Sequence, residues 1–261
     1  MDVLVEVKNA AFSYDSKSYI FENTTFSVNR GQILSILGPN GCGKTTMLKC
    51  IDGLFQLNRG GISIEGKNIK AMKRNEIGKK IGYVAQKQDM TFPFTVLEMV
   101  VMGRAPHLNV FYSPSEKDIR IAKEIIESLD LSHLEDRPYT NISGGQAQLA
   151  LIARALCADP DVLLLDEPTS HLDFKNQRII LKVLDRLCRE KGITVIMATH
   201  FPDHALAISS RALLMNHGKA AIVGDTANVI TEGNLRDVFE IDVRILTYKA
   251  SKNLGKTVVP L

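Results

Sequence analysis

The sequence of 261 residues contains no long uncharged apolar run and no recognisable secretion signal. A membrane-spanning helix needs about 18 or more consecutive apolar residues, and no uncharged stretch reaches that length. The start MDVLVEVKNA carries an acid at position 2 and lacks the apolar core of a signal peptide. We therefore expect that, if the protein works at a membrane, another chain crosses it.

Cysteine pairing and excess charge are lacking as well. The cysteines form no CxxC pair and no metal-ligand spacing, a pattern typical of reduced thiols in the cytosol. The net charge of +3 is only mildly basic. A nucleic-acid-binding surface is expected to be more basic, so no nucleic acid is expected as a partner. The four cysteines are Cys42, Cys50, Cys157 and Cys188.

Two kinds of periodicity divide the chain. Residues 3–14 and 24–37 alternate apolar and polar positions around the turn NRGQ, which predicts antiparallel strands leading into a glycine-rich loop. The stretch KIGYVAQ predicts a further strand that ends at Gln86. Residues 88–140 have helical spacing without a strong strand signal, which predicts an inserted helical subdomain. Strands and helices then alternate from DVLLLDE to ITVIMATH. We therefore predict an α/β fold with a parallel sheet, whose ligands gather at the carboxyl ends of its strands.

The stretch GPNGCGKT, residues 38–45, matches the phosphate-binding pattern G-x-x-x-x-G-K-[ST] between an apolar strand and a helix. Its glycines allow backbone N–H groups to close around phosphate oxygens, and the helix start favours the anion. Lys44 is expected to reach the terminal phosphates, and the Thr45 hydroxyl to ligate Mg²⁺. The alternative interpretation is a glycine-rich strand-to-helix turn without a ligand.

Two adjacent acids end the apolar run VLLLDE. Mg²⁺ prefers oxygen ligands and keeps several waters, so Asp166 at the strand end could hold it through water. Glu167 would then accept a proton from, or orient, a water that attacks the γ-phosphate. The alternative is that two acids simply begin a helix.

The stretch ISGGQAQLALIARAL begins with a capping box, because Ser143 precedes Gln146 by three residues at the start of an apolar helix. The capping box does not explain Gly144 and Gly145, which weaken the first helical turn by about 1 kcal/mol each relative to alanine. Bare backbone at a helix start predicts a second anion-binding site.

In family order, these motifs resemble the ATP-binding subunits of ABC transporters over essentially the whole chain. The resemblance identifies Walker A as GPNGCGKT, the signature as ISGGQ, Walker B as VLLLDE and the D-loop as SHLD with Asp173. It also implies that Tyr14 stacks on adenine, that Gln86 links Mg²⁺ to the helical subdomain, and that His200 contacts the γ-phosphate. One departure is Ala147 after the signature glutamine, where the family usually has a basic or polar residue.

The resemblance implies ATP and Mg²⁺ as cofactors, with three sets of site residues. Glu167 and His200 are the catalytic pair, and Thr45, Gln86 and Asp166 hold the metal. The signature residues act on the ATP of a second copy. The residues expected at the nucleotide are Tyr14, Gly38, Pro39, Asn40, Gly41, Cys42, Gly43, Lys44, Thr45 and Thr46. The signature residues are Ser143, Gly144, Gly145 and Gln146.

The resemblance also implies one P-loop ATPase domain with a RecA-like core. Residues 1–87 and 159–261 are expected to form that core with an antiparallel β subdomain, and residues 88–158 the helical subdomain. The expected partners are a second copy, two membrane-spanning permease subunits and, indirectly, a substrate-binding protein. The chain would then lie in the cytoplasm on the inner face of the membrane.

The segment VMGRAPHLNVFYSPSEKD and the C-terminal stretch resemble ATPases of importers for iron chelates, cobalamin and metal oxyanions such as molybdate. A soluble ABC ATPase of DNA repair, translation or iron–sulfur assembly is the second hypothesis, although long coiled coils and a second cassette are missing. A P-loop kinase or a nucleotide switch is the third, and the signature and Glu167 argue against it.

Three further expectations concern single segments. Cys42 lies near Lys44 and a helix start, which should favour its thiolate, the alternative being a buried, inert thiol. His200 and His204 have the i, i+4 spacing of a zinc pair, but Pro202 argues against one continuous helix, so zinc is not the favoured interpretation. The apolar segment 92–102 is expected to border a groove that receives a permease helix, the alternative being subdomain core.

Overall fold

The computed structural model describes residues 2–15, 17–86, 92–108, 113–217, 221–249 and 254–261. Within these ranges the strands form three sheets: a four-stranded antiparallel sheet, a six-stranded sheet and a two-stranded hairpin. The antiparallel sheet contains β1 (Val3–Phe12), β2 (Phe21–Asn29), β4 (Arg59–Ile64) and β5 (Lys67–Asn68). The six-stranded sheet contains β3 (Ile33–Leu37), β6 (Ile81–Val84), β7 (Val162–Asp166), β8 (Thr194–Thr199), β9 (Arg211–Leu214) and β10 (Ile222–Asp225). The hairpin is β11 (Val243–Lys249) with β12 (Leu254–Pro260).

The six-stranded sheet is parallel apart from its edge strand β10, in the order β10-β9-β3-β8-β7-β6. Every residue of β3, β7 and β8 is buried. This agrees with their nearly continuous apolar sequences, because helices cover both faces of a parallel sheet. Leu37 pairs with Thr199 and Asp166 pairs with Ala198, so these three strands end side by side.

Nine α-helices occur in the described ranges, together with short 3₁₀ turns at residues 69–71, 102–107, 132–134 and 139–141. The helices are α1 (Lys44–Ile51), α2 (Arg74–Lys80), α3 (Val96–Val101), α4 (Glu116–Ser128), α5 (Gly144–Leu156), α6 (Phe174–Lys191), α7 (Pro202–Ile208), α8 (Thr226–Val229) and α9 (Glu232–Phe239). Among them, none combines the length and apolar character that crossing a membrane requires.

The α/β architecture predicted from the sequence is confirmed. Helices α3, α4 and α5 lie where helical spacing predicted them, and no strand occurs among the described residues 92–108 and 113–158. Their buried side chains, such as Met99, Ile126 and Ile152, belong to the same apolar cluster as Leu165 of β7 and Met197 of β8. The helical segment therefore packs directly on one face of the parallel sheet.

Two details of the strand prediction were wrong. The strand after the turn NRGQ was predicted to be antiparallel, but β3 pairs in parallel with β8 and β9; the antiparallel strand β2 ends at Asn29. Strand β6 ends at Val84 rather than at Gln86, so Gln86 lies two residues beyond the sheet. Alternating polarity cannot show which sheet a strand joins, because the partner strand is chosen by tertiary packing.

A buried ion pair ties the helical segment together. Arg104 Nε donates to Asp118 Oδ1 at 2.9 Å, and Arg104 Nη1 donates to the carbonyl oxygen of Cys157 at 2.7 Å. Both charged residues are buried. Hydrogen bonds from Ser115 and Arg104 hold the pKa of Asp118 well below its usual range. The pair thereby joins the 3₁₀ turn at 102–107 to the start of α4 and the end of α5.

Replacing Arg104 by methionine should lower the free energy of unfolding by about 3 kcal/mol, because Asp118 is left buried without its cation. Urea unfolding followed by circular dichroism measures the loss. The matched control is Lys123→Met, which breaks the more exposed pair between Lys123 of α4 and Glu135. That change should cost less than about 1 kcal/mol. Equal small losses in the two variants would contradict the role given to Arg104.

Candidate ATP-binding site

The glycine-rich loop runs from the end of β3 to the first residue of α1. Gly43 is the N-cap of α1, has a φ of 105°, and supplies no side chain that could cap the helix. Gly38 cannot carry a Cβ, which would lie 2.3 Å from the carbonyl oxygen of Met215. The first N–H groups of α1 consequently meet no capping side chain, and a phosphate oxygen could accept from them.

Lys44 is buried and lies at the centre of this loop. Its Nζ donates to the carbonyl oxygens of Gly38 at 2.8 Å and Pro39 at 3.0 Å. The same Nζ lies 3.6 Å from Glu167 Oε1. The cation therefore lies between the loop and the acidic strand end, close to where a phosphate bound by the loop would lie.

Asp166 is the last residue of β7 and is buried. The hydroxyl of Thr45 donates to Asp166 Oδ1 at 3.0 Å. Burial raises the pKa of the Asp166 carboxyl, so a nearby cation would stabilise its charged form. One carboxylate and one hydroxyl oxygen beside a phosphate-binding loop fit Mg²⁺, which prefers oxygen ligands.

Glu167 and His200 meet at the same edge of the sheet. Glu167 follows β7, and its N–H donates to the carbonyl oxygen of Ala198 at 3.0 Å. His200 follows β8, and its Nδ1 lies 2.7 Å from Glu167 Oε2 in a hydrogen bond. Glu167 has a φ of 51°, a left-handed conformation that is strained for a residue with a Cβ. A carboxylate carried on this strained backbone and held by an imidazole is thus positioned beside the Lys44 ammonium.

Lys44, Thr45 and Glu167 line a cavity of about 430 Å³, whereas Asp166 and His200 are not among its lining residues. Tyr14 borders it, and its hydroxyl is hydrogen-bonded to Thr46 Oγ1 at 3.0 Å. The Tyr14 ring makes edge contacts with Phe12 and Phe55. The residue nevertheless remains 65% exposed. The cavity is lined by Tyr14, Ile20, Asn40, Gly41, Gly43, Lys44, Thr45, Thr46, Gln86 and Glu167. Sequence reasoning missed Ile20, because an isolated apolar residue in a loop carries no chemical signal.

Ser143 to Gln146 lie elsewhere. The capping box is confirmed, since Gln146 N–H donates to Ser143 Oγ at 3.4 Å and Ser143 N–H donates to Gln146 Oε1 at 3.0 Å. Among the described residues, none of this group lines the Lys44 cavity; Ser143, Gly145 and Gln146 line a separate groove of about 630 Å³ between α5 and α6. Gly145 also has a packing reason, because a Cβ there would lie 2.3 Å from Asn176 Oδ1.

Asp173 is the N-cap of α6. Its Oδ1 accepts from the N–H of Asn176 at 2.7 Å, and its Oδ2 accepts from Asn176 Nδ2 at 3.1 Å. It therefore fixes the side chain that packs against Gly145. In this way the end of the segment SHLD supports the helix start that carries Ser143.

Comparison with known proteins agrees with these motifs. The family model described as ABC transporter matches residues 21–170. This chain belongs to the ABC transporter ATPases. The molybdate import ATP-binding protein MolC of Haemophilus influenzae is 38% identical over 241 residues, which cover 92% of this chain and 90% of that protein. A Helicobacter pylori protein named as a probable iron chelatin transport ATP-binding protein is 38% identical over 239 residues, which cover 91% of this chain and 93% of that protein.

Two solved structures extend the comparison. A metal-chelate type ABC transporter in an inward-facing conformation matches with a TM-score of 0.89 and 35% identity, over 99% of this chain and 98% of that one. A dimeric ATP-binding cassette in a post-hydrolysis state, bound to ADP and phosphate, matches with a TM-score of 0.72 and 29% identity, over 85% of this chain and 99% of that one. This ABC ATPase therefore hydrolyses ATP with the fold of these cassettes.

The expectation of a reactive thiolate at Cys42, in the phosphate-binding loop, was wrong. Cys42 is buried, and burial raises the pKa of its thiol although the nearby Lys44 acts in the opposite direction. Local sequence indicated only the cation and the helix start. It could not indicate that the loop folds its thiol inward, where the charged form loses hydration.

His200 and His204 make separate contacts in this ABC ATPase. Helix α7 begins at Pro202, so the two rings do not lie on one continuous helix. His204 is buried, and its Nδ1 is hydrogen-bonded to Thr169 Oγ1 at 3.2 Å. Burial lowers the pKa of His204 to about 4, so its ring is neutral at neutral pH.

This low pKa predicts a loss of stability in mild acid. Between the unfolded pKa of 6.5 and the folded value of about 4, the unfolded chain binds a proton at His204 that the folded chain excludes. The free energy of unfolding should therefore decrease as the pH is lowered, by about 2 kcal/mol between pH 7 and pH 4.5.

Urea unfolding of the wild type and of His204→Gln at both pH values measures this effect, because glutamine does not titrate and all other groups are shared. The wild type should lose about 2 kcal/mol more than the variant. The same loss in both proteins would mean that His204 is protonated in the folded state.

Proposed function

We propose that this ABC ATPase drives import of a metal chelate or metal oxyanion through a separate membrane permease. The relatives named for molybdate and iron chelatin, and the similar metal-chelate type transporter, support this substrate class. The observation that carries the catalytic part is the meeting of Lys44, Glu167 and His200 at the phosphate loop. A soluble ABC ATPase is the alternative, and co-purification with a multi-span membrane protein would separate the two.

Thr45, Asp166 and Gln86 are proposed to hold Mg²⁺. The first two are already hydrogen-bonded to each other at 3.0 Å, and Gln86 lines the same cavity. When bound, Mg²⁺ would offset the negative charge of the phosphates. Tyr14 is proposed to stack on adenine, because its exposed ring borders the cavity of Lys44 and Thr46.

Glu167 is proposed to act on the water that attacks the γ-phosphate. The carboxylate accepts a proton from that water as the new P–O bond forms and the bond to the ADP oxygen breaks, which yields ADP and phosphate. His200 is hydrogen-bonded to that carboxylate at 2.7 Å, and it is proposed to contact the γ-phosphate. Lys44 exchanges the carbonyl oxygens of Gly38 and Pro39 for phosphate oxygens, since a cation binds an anion more strongly than a carbonyl group.

Ser143 to Gln146 are proposed to close the site of a second copy. Their groove is separate from the Lys44 cavity, so one chain does not bring the two groups together. A head-to-tail homodimer would place each Ser143 against the ATP bound by its partner. Dimerisation of a similar cassette supports this arrangement.

The permease is proposed to contact the segment 92–102, on the inner, cytoplasmic face of the membrane. Phe92 is 67% exposed and Met102 is 38% exposed, whereas Val96 and Met99 are buried. The ends of the segment thus remain accessible while its middle is core. A substrate-binding protein would act through the permease. Residues 88–158 are proposed to form one subdomain, and residues 1–87 and 159–261 the other. These two subdomains are proposed to move relative to each other during the ATPase cycle.

Replacing Glu167 by glutamine should lower kcat at least about 100-fold, because the change keeps size and removes the proton acceptor. ATP binding should remain, so bound ATP accumulates unhydrolysed. Phosphate release gives the rate, and retention of radiolabelled ATP gives binding. Near-normal phosphate release from Glu167→Gln would contradict the assignment.

Mixed dimers test the shared site. Lys44→Ala damages the phosphate loop, and Ser143→Arg fills the space that the γ-phosphate needs, so each homodimer should be inactive. A heterodimer of the two variants contains one site with an intact loop and an intact signature, and it should bind ATP there.

Differently tagged variants can be co-expressed and isolated as the mixed dimer, first for ATP binding and then for turnover. A photoreactive γ-phosphate probe should crosslink Ser143 of the chain that does not hold the probe in its loop. Crosslinking within one chain would contradict the shared-site proposal.

A further inference from the structure

A buried hydrogen bond links the two chain segments that carry Glu167 and His200. Thr169 lies two residues after Glu167 and is fully buried. His204 lies four residues after His200, and its Nδ1 is 3.2 Å from Thr169 Oγ1. The catalytic contact between Glu167 and His200 and this second contact therefore join the same two segments at two points.

Packed rings connect His204 back to His200. The ring centroids of His200 and Phe201 are 3.9 Å apart, and those of Phe201 and His204 are 4.8 Å apart. Closely packed side chains leave few alternative rotamers, so a displacement of one ring displaces its neighbour. The position of His204 thereby limits where the imidazole of His200 can lie.

The turn after Glu167 needs such an external contact. Within the turn, Ser170 N–H and Ser170 Oγ both donate to the carbonyl oxygen of Glu167, at 3.1 Å and 2.8 Å. These bonds fix the shape of the turn, but the bond from Thr169 to His204 fixes its position relative to α7. A residue in a left-handed conformation, as Glu167 is, persists only where its surroundings hold it.

Other contacts hold α7 without reaching this turn. At its C-terminal end, Ser209 Oγ is hydrogen-bonded to Ser35 Oγ of β3 at 2.6 Å. Near its start, Asp203 accepts from Thr257 Oγ1 at 2.8 Å and from the N–H of Val258 at 2.9 Å in the C-terminal hairpin. Mutations can therefore remove a contact that anchors α7 elsewhere without removing the hydrogen bond between His204 and Thr169.

We propose that Thr169 and His204 are positioning residues, whose hydrogen bond holds the His200 imidazole and the Glu167 carboxylate at their working separation. This inference rests on the proposed roles of Glu167 and His200 in ATP hydrolysis. Neither Thr169 nor His204 is among the residues that line the Lys44 cavity. A neutral imidazole suits this role, because it accepts or donates one hydrogen bond without placing a second positive charge behind His200.

The central test compares Thr169→Val, which removes the hydroxyl at nearly constant volume, with Thr169→Ser, which keeps it. Phosphate release by the full chain gives kcat and KM, and equilibrium dialysis with Mg-ATP gives Kd. Thr169→Val should lower kcat about 10-fold to 100-fold, the scale expected for a small misplacement of reacting groups. Its KM and Kd should remain within about twofold, since the ATP contacts are kept. Thr169→Ser should restore most of kcat.

The matched control is Ser35→Ala, which removes the buried hydroxyl contact at the other end of α7. Its Tm should fall as much as that of Thr169→Val, while its kcat remains that of the wild type. Equal reductions of kcat in Ser35→Ala and Thr169→Val would show that general anchoring of α7 matters, and would overturn the inference. All rates are measured at a temperature where circular dichroism shows each variant folded.

A second pair of variants keeps the test decisive if Thr169→Val is unstable. His204→Asn places an amide near the position of Nδ1, whereas His204→Leu offers no polar atom. Asparagine should preserve more of kcat than leucine. The double variant Thr169→Val/His204→Leu should be no slower than the slower single variant, because both changes remove one contact. Additive losses would overturn the inference.

Glu167→Gln in the same assays separates the two levels of the argument. Wild-type turnover in Glu167→Gln would mean that the proposed mechanism is wrong. A strongly impaired Glu167→Gln together with wild-type turnover in Thr169→Val would leave the mechanism in place and refute only the positioning role.

Discussion

Parallel pairing of β3, β7 and β8 is the constraint on which the proposed catalytic arrangement depends. In this register the strands end together, with Leu37 beside Thr199 and Asp166 beside Ala198. Because parallel strands share one direction, the chain leaves all three at the same edge. The phosphate loop, Glu167 and His200 thereby meet although they are distant in sequence. Antiparallel pairing of any two of these strands would place their loops at opposite edges.

The buried charged side chains at this edge of the sheet each have a polar or charged partner close by. Lys44, Asp166 and Glu167 are all buried, and an isolated buried charge is strongly unfavourable. Lys44 lies 3.6 Å from Glu167, Thr45 donates to Asp166, and His200 is hydrogen-bonded to Glu167. In the proposed reaction the phosphates and Mg²⁺ enter as charges of opposite sign. The same side chains can then exchange their present partners for the nucleotide without leaving a buried charge uncompensated.

The signature helix start combines a structural role with a proposed catalytic one. Ser143 and Gln146 cap α5, and Gly145 allows Asn176 of α6 to approach closely. The capping and packing contacts are both made within one chain, so the helix start is already formed before any partner arrives. A preformed binding surface loses less conformational entropy when it associates than one that must fold on contact. This helps to explain why a surface proposed to act on a second copy carries a complete local capping box.

The sequence alone determined the nucleotide motifs, the order of strands and helices and the family, because these depend on local spacing and on side-chain chemistry. It could not determine that β3 joins the parallel sheet, that Cys42 is buried, or that Gly145 is required by Asn176. Nor could it reveal the bond between Thr169 and His204, which are 35 residues apart. Only the tertiary structure decided these features, since each depends on which distant side chains the packed sheet and helices bring within a few ångströms.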